Sequence, residues 1–295
     1  MRGRDEPLYV ALTVDVDADA NRPCHGRPEA VSPGGEARFE ACAQGLEAAA
    51  DLTAELGWPC TLFWTGRALL ALHREAGGVV KRLADRRDVE HACHGFAHED
   101  FTGRDTGRPL SAEETLRTVR AATGVVARIT GRTPAGFRAP YCRMGAHLPD
   151  ALRALGYLYD ASLTRTSCDE WDLKSYPLPP QCGGNPLLEL ALCRGRDASG
   201  GVITGYLWQL LEGRREPRDY VDFVASLACR FPGGLFQIAL HPWHLLIDKD
   251  GRPLPTRSGR DAASDLRAVL QGVASLAVVR LTTGAEYLRL QKEHT

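Results

Sequence analysis

Short apolar runs alternate along almost the whole chain with longer segments of helical period, and this alternation constrains the fold more than any other feature. The runs are Leu8 to Val14, Cys60 to Trp64, Val89 to Cys93, Gly136 to Arg138, Tyr157 to Tyr159, Leu187 to Ala191, Phe236 to Leu240 and Val278 to Leu281. Helical patterns lie at roughly 36 to 56, 66 to 73, 76 to 86, 111 to 130, 147 to 155, 217 to 230, 260 to 275 and 284 to 291. Runs too short for helices, separated by helical stretches, predict a mainly parallel sheet covered by helices. The helix opening at Ser111 carries Glu114 three residues on, a capping box, which places the preceding stretch Glu99 to Leu110 in a surface loop. Asn21 to Gly35 and Tyr176 to Pro186 are rich in Gly and Pro and read as long loops, the kind of segment that shapes binding sites.

Composition narrows the function. At 295 residues and 44% hydrophobic the chain can bury a large core, and with no Pro/Ser-rich linker dividing it, residues 1–295 read as a single domain. A net charge of -1, from 36 basic and 37 acidic residues, gives no electrostatic footprint for nucleic acid or for an anionic membrane. The apolar run from Leu8 to Val14 is broken at once by aspartates, so neither a signal peptide nor a membrane span fits there, and the expected location is cytoplasmic. Nine cysteines, an odd number without a CxxC pair, are expected to be reduced thiols rather than a disulfide framework or a four-cysteine zinc site. Cys93, directly before His94, reads as a small buried filler.

The polar residues of interest fall at strand ends. Asp15 and Asp17 close the first run, His94 follows the third, Arg138 sits in Gly-Phe-Arg-Ala-Pro-Tyr, and His241 ends Gln-Ile-Ala-Leu-His. In α/β barrels the C-terminal strand ends carry the active site, so groups this far apart in sequence converge on one mouth. Two imidazoles and a carboxylate suit a catalytic divalent metal that keeps positions open for water and substrate. On a helical turn His94 and His98, four apart, would share a face and reach one ion; the bland alternative is two surface histidines in a loop. Asp15 and Asp17, two apart, leave open which is ligand and which is general base, and a loop-capping turn is the structural alternative for the pair.

Asp15-Val-Asp17, His94-Gly-Phe-Ala-His98, Arg138-Ala-Pro-Tyr141, Tyr159-Asp160-Ala-Ser162 and Leu240-His241-Pro-Trp243 resemble, in order and spacing, the motifs of the polysaccharide deacetylases, carbohydrate esterase family four. The similarity runs from about Val10 to Leu246 and is nearest to the cytoplasmic, peptidoglycan-deacetylase-like branch with an Asp-x-Asp first motif. The resemblance implies a distorted, seven-stranded, TIM-like (β/α) barrel and a zinc-type ion, Zn2+ or another divalent metal such as Co2+, Ni2+ or Mn2+. Position by position it implies Asp17, His94 and His98 as metal ligands, Asp15 as the general base and Arg138 as the partner of that base. It also implies the Tyr141 amide as an oxyanion contact and His241 as the acid that protonates the leaving amine. A histidine suits that step because its ordinary pKa lies near neutrality. Asp160 is expected to pair with His241 or Arg138, or to be structural. Trp208 and Trp243 are candidates for the floor of a sugar groove, and His244 departs from the acidic residue of the related branch.

The expected reaction is hydrolysis of an N-acetyl group on an amino sugar or a small intracellular N-acyl metabolite, by a protein that relatives suggest is a homo-oligomer. The alternatives are a cyclic amide or imide hydrolase of the allantoinase type and a non-catalytic binding protein on the same fold.

Overall fold

The structure is a computed structural model that describes residues 6–167, 172–179, 186–256 and 259–293. Its strands are β1 (Leu8–Val16), β2 (Arg22–Cys24), β3 (Arg27–Val31), β4 (Cys60–Trp64), β5 (Val89–Cys93), β6 (Gly136–Phe137) and β7 (Tyr159–Asp160). There follow β8 (Thr164–Thr166), β9 (Tyr176–Pro177), β10 (Leu188–Glu189), β11 (Leu192–Arg196), β12 (Val202–Thr204), β13 (Leu235–Leu240) and β14 (Val279–Thr282). The helices are α1 (Glu40–Leu56), α2 (Gly66–Glu75), α3 (Gly77–Asp85), α4 (Ala112–Thr130), α5 (Leu148–Ala154), α6 (Trp208–Leu211), α7 (Pro217–Arg230), α8 (Ala262–Ala274) and α9 (Gly284–Glu293).

β1 is buried on both faces along its whole length, as a strand must be when helices cover one face of the sheet and the sheet curls around the other. Its period of two separates the chain into two cores. Leu8, Val10, Leu12, Val14 and Val16 belong to the cluster shared with the helices. Tyr9 and Ala11 belong to a second cluster with Phe63, Ala92, Tyr159 and Leu235, the interior of the barrel. Asp15 has the same parity as Tyr9 and Ala11, so the pleat that fills the barrel also aims this carboxylate into it. Tyr287, Leu288 and Leu290 of α9 join the interior cluster and plug the end of the barrel where the strands begin.

Among the described residues the main sheet has nine strands. The run β13-β1-β4-β5-β6-β7-β10 is parallel throughout and supplies the seven expected strands of a distorted (β/α) barrel. β9 is added antiparallel to β10, and β14 pairs with the first half of β1. On the far side β11 lies between β8 and β12. Past β12, Gly205 accepts from the Ala239 amide at 2.8 Å and Leu207 donates to the Ala239 carbonyl at 2.9 Å, bringing the ring back to β13.

Two expected loops are more ordered than their composition suggests. Asn21 to Gly35 contains the β2–β3 hairpin, and Tyr176 to Pro186 contains β9, while residues 180–185 of that stretch lie outside the described residues. Glu99 to Leu110 precedes the capping box of Ser111 and Glu114 as expected, but it is not a simple surface loop. Asp100 is buried and takes hydrogen bonds from Thr102, Asp105 and Thr106, which folds the segment inward over Phe101. Gly45 of α1 faces the turn Pro242–Leu245 so closely that a Cβ there would meet the Pro242 carbonyl oxygen at 1.9 Å, so this helix seats the chain directly after His241.

Candidate active site

The C-terminal ends of the barrel strands bring together Asp15, Asp17, His94, Arg138, Asp160 and His241, and the loop after β5 adds His98. Arg138 lies fully buried in the barrel axis. Its Nη1 donates to Asp15 Oδ1 at 2.7 Å and to Thr13 Oγ1 at 3.0 Å, its Nη2 to Gln237 Oε1 at 2.7 Å, and its Nε to the Ala161 carbonyl at 3.1 Å. Phe63 lies 4.2 Å beneath the guanidinium. Burial alone would push the Asp15 carboxyl up, but Arg138, with His94, His241 and a hydrogen bond from Tyr206, outweighs it and holds the group at about 2. Asp15 is therefore a fixed carboxylate at neutral pH.

The ligand set expected from sequence is assembled. Asp17, His94 and His98 are buried, and each offers one ligand atom such that all three atoms lie within 4.8 Å of one another. The pair of histidines does not meet across a helical turn: residues 94–98 form a loop, in which Gly95 (φ 78°) and His98 (φ 58°) are both left-handed. Glu99 folds that loop by accepting from the Phe96 and Ala97 amides, and a Cβ on Gly95 would stand 2.7 Å from Glu99 Oε2. His94 Nδ1 lies 2.7 Å from the Arg138 carbonyl, which can only accept, so Nδ1 carries the proton and Nε2 presents its lone pair to the centre. That Nε2, Asp17 Oδ2 and His98 Nδ1 are buried without a hydrogen-bond partner, and His98 Nε2 is 3.2 Å from Asp17 Oδ2. Burial pushes His94 down to about 4 and His98 to about 3, so both are neutral donors. Orphaned buried donor atoms, a neutral imidazole pair and one carboxylate fit a divalent ion of the zinc type.

His241 follows β13 with its Nε2 3.6 Å from Asp17 Oδ2. Its ring is stacked between Tyr206 (5.6 Å) and Trp243 (5.0 Å), and Trp243 stacks in turn on His244 (5.0 Å). Burial pushes this histidine below its ordinary value, down to about 4, despite Asp17 and Asp15, so it rests neutral. Trp243 lines the cavity as a largely buried ring and donates its indole N–H to Asp17 Oδ1 at 2.8 Å. Asp160 takes hydrogen bonds from the Ser162 hydroxyl (2.8 Å) and amide (3.1 Å) and pairs with Glu189, rather than bonding to His241 or Arg138. Burial and the neighbouring Asp160 carboxylate push Glu189 well up, so Glu189 holds the proton of that pair. Ser162 Oγ accepts from the Ala139 amide at 2.7 Å, which makes Asp160 a positioning residue for the Arg138–Tyr141 segment.

Tyr141 and Cys142 are consecutive left-handed residues (φ 59° and 52°), and the Tyr141 ring meets His98 edge-on at 4.5 Å. Of the five left-handed non-glycine residues described, Ala20, His98, Tyr141 and Cys142 line one cavity of about 620 Å³ over the cluster. Backbone conformations of this cost persist where the surroundings impose them, and here they surround the reactive groups. Trp208 lies on the wall of the same cavity, as does His244, whose Nε2 is 3.2 Å from Glu212 Oε1.

Tyr206 is the residue the sequence reading missed. Its hydroxyl donates to Asp15 Oδ2, while its ring covers His241, so one side chain touches both expected acid-base groups. The only signal was a Gly-Tyr step after β12: a Cβ on Gly205 would meet the Gln237 carbonyl oxygen at 2.1 Å, a backbone approach that fixes where Tyr206 points. Replacing Tyr206 by Phe keeps the ring and removes a hydrogen bond to a charged group, which is worth roughly 1.5–3 kcal/mol and so about 10- to 100-fold in rate. Steady-state kinetics should show that loss in kcat with KM held within about twofold; an unchanged kcat would remove Tyr206 from the acid-base machinery.

The polysaccharide deacetylase family model matches residues 37–159, a stretch that includes His94, His98, Arg138 and Tyr141. A peptidoglycan deacetylase-like protein of Gibberella zeae is 33% identical over 91 residues, 30% of this chain and 25% of that protein, so the match spans about a quarter of that relative's length. In fold, the chain is similar to a Mycobacterium smegmatis protein named as a polysaccharide deacetylase, with a TM-score of 0.66 and 22% identity over 99% of this chain and 93% of that one. An allantoinase is similar with a TM-score of 0.64 and 16% identity over 97% of this chain and 90% of its own. Residues 37–159 thus match the polysaccharide deacetylase family in sequence, and over nearly its whole length the chain shares the fold of the solved proteins above.

Proposed function

We propose that this protein is a divalent-metal-dependent amide hydrolase that removes an acyl group, most simply acetyl, from an N-acetylated amino sugar or a small N-acyl metabolite. The observation that carries the reading is the trio of buried donors of Asp17, His94 and His98 beside the Arg138-held Asp15 carboxylate, with Asp15, His94 and His98 lining one cavity. A divalent ion held by that trio supplies Lewis acidity toward the acyl carbonyl and toward water. Asp15, anionic at neutral pH, accepts the proton of the attacking water. Arg138 and Tyr206 fix the orientation of that carboxylate, one on each oxygen. The Tyr141 amide, in its left-handed turn beside His98, is the donor for the developing oxyanion. His241 gives a proton to the leaving nitrogen. Because it rests neutral, it must gain that proton within the turnover: the proton that Asp15 takes from water passes to His241, whose charged form the Asp17 and Asp15 carboxylates favour, and Asp15 returns to its carboxylate as His241 delivers the proton to nitrogen. The products are acetate and a free amine.

The similarity in fold to an allantoinase favours one second reading, hydrolysis of a cyclic amide by the same centre. The proposal also includes zinc as the ion, membership of the Asp-x-Asp branch, action as one catalytic domain, assembly into a homo-oligomer and a cytoplasmic setting. The buried thiols of Cys42, Cys60, Cys93 and Cys193 support the last of these, and no described helix is long and apolar enough to cross a membrane. The test is metal content of the purified protein together with acetate release from a panel of N-acetylated sugars, with and without chelator. Bound metal and chelator-sensitive acetate release are expected. Metal without acetate release on any member would move the reading to cyclic amides, and failure to bind metal after reconstitution would overturn it.

A further inference from the structure

The rim of the cavity carries a feature that the deacylation chemistry does not use. Lys249 and Trp208 both line the cavity, and the Lys249 ammonium stands 4.4 Å from the centre of the Trp208 ring. The other cations nearby are paired: Arg22 Nη2 is 2.8 Å from Asp250 Oδ1, and Arg214 Nη2 is 3.4 Å from Glu212 Oε2. Among the described residues no carboxylate lies within ion-pair distance of Lys249. Arg22 Nη2 also donates to the Lys249 carbonyl at 2.9 Å, so the β2–β3 hairpin clasps the backbone that carries this lysine and fixes it at the cavity mouth. Lys249 is exposed at this rim, and after burial its charge is the next cause holding the ring of His244 down to about 4. His244 lines the same cavity one ring beyond Trp243. Arg214 also stands over the Trp208 ring, at 5.2 Å, but its charge is met by Glu212, so of the two cations held by this indole it is the Lys249 ammonium that is left to receive an anionic group of a ligand in the cavity.

We infer that Trp208 and Lys249 form a subsite for an anionic group, so that the substrate is a compact N-acyl amine bearing a carboxylate or a phosphate away from its amide. The cavity of about 620 Å³ sets the scale, that of a small molecule held in one piece rather than a long polymer segment. The identity of the reaction rests on the hydrolase reading above; the anion subsite does not, because it can be read from binding alone.

The experiment compares N-acetylglucosamine, its 6-phosphate and N-acetylmuramic acid as neutral, phosphate and carboxylate probes. Binding to the full-length protein is followed by tryptophan fluorescence and calorimetry, acetate release is followed in parallel, and Lys249→Gln is measured beside the unaltered protein. At least one anionic probe is expected to bind roughly five- to tenfold more tightly than the neutral sugar, the range for a partly exposed ion pair, and added salt should erode the difference. Lys249→Gln should abolish that preference while leaving affinity for the neutral sugar unchanged, and whichever anionic probe shows the effect identifies the charged group. Equal binding of all three probes, no binding of either anionic probe, or a preference that survives Lys249→Gln would overturn the subsite. Lys249-dependent binding without acetate release would leave the subsite standing and sink the deacetylase. Acetate release that ignores probe charge and Lys249 would do the reverse.

Discussion

A His98→Ala protein is expected to lose stoichiometric divalent metal and to lose turnover by on the order of 10³-fold, about 4 kcal/mol of transition-state stabilisation. The ring sits in a left-handed loop position (φ 58°), has its Nδ1 unpartnered and its Nε2 3.2 Å from Asp17 Oδ2. Nothing about this placement favours folding: a neutral imidazole is buried with an unmet polar atom, in a backbone conformation that costs energy for a residue with a Cβ. Alanine removes the orphaned atom and leaves a gap against Tyr141 and His94, whose rings lie 4.5 and 4.9 Å from His98. Thermal stability measured without metal should consequently change little, whereas the stabilisation that added zinc gives the unaltered protein should vanish, because only a native-state ligand raises the midpoint by mass action. Elemental analysis and melting curves with and without metal separate the two effects. A His98→Ala protein that still binds one equivalent of metal and turns over in a chelator-sensitive way would remove His98 from the ligand set and leave Asp17 and His94 to be completed by another group, with His241 the nearest to Asp17.

What the sequence made legible, and what it did not, follows from which interactions are local. Cys60–Trp64 was readable to the residue because it is a short, mostly apolar run buried throughout and bounded by Pro59 and by the helix start at Thr65, and Val89–Cys93 because it lies between the end of one helical pattern and the His-Gly step at His94, although it carries Glu90 and His91. The capping box at Ser111 fixed the start of α4 for the same reason: both of its hydrogen bonds close within four residues. β8, β11 and β12 left no comparable signal. Leu192–Arg196 reads Leu-Cys-Arg-Gly-Arg, half exposed, and becomes a strand only because Thr164–Thr166 and Val202–Thr204 lie on either side of it. The site divides along the same line. Strand ends and the resemblance placed Asp15, Asp17, His94, Arg138 and His241 together, but the loop that joins His94 to His98 depends on Gly95 and on Glu99 turning back to its amides, which no periodicity reports. Tyr206 was invisible because its meaning is set by a residue 191 positions away, Asp15, and the neutral resting state of His241 was invisible because burial is a property of the fold.

Arg138→Met should cost the protein about 3–5 kcal/mol of stability, the range for stranding a buried charge, and should abolish turnover. Methionine can fill much of the volume over Phe63, so the loss is electrostatic rather than steric. Four acceptors lose their donor at once: Asp15 Oδ1, Thr13 Oγ1, Gln237 Oε1 and the Ala161 carbonyl. The dependence on pH carries the sign that distinguishes this mechanism from simple mispacking. In the unaltered protein the Asp15 carboxyl is held at about 2, below its ordinary value of 3.8, so its contribution is stabilising above that ordinary value and is lost as pH falls through about 2. Without Arg138 the largest opposing influence is gone and burial pushes the carboxyl above its ordinary value; the same group then destabilises the fold as pH rises through the carboxylate range. The stability gap between Arg138→Met and the unaltered protein should therefore be widest near neutrality and should shrink toward pH 4, in denaturant titrations run across that interval. Neutralising the stranded charge makes the sharper test. Asp15→Asn added to Arg138→Met should recover part of the lost stability and none of the turnover, giving a coupling between the two positions that a double-mutant cycle reads directly. If the two losses simply add, Asp15 and Arg138 do not act as a pair, and the orientation of the base must come from Tyr206 alone.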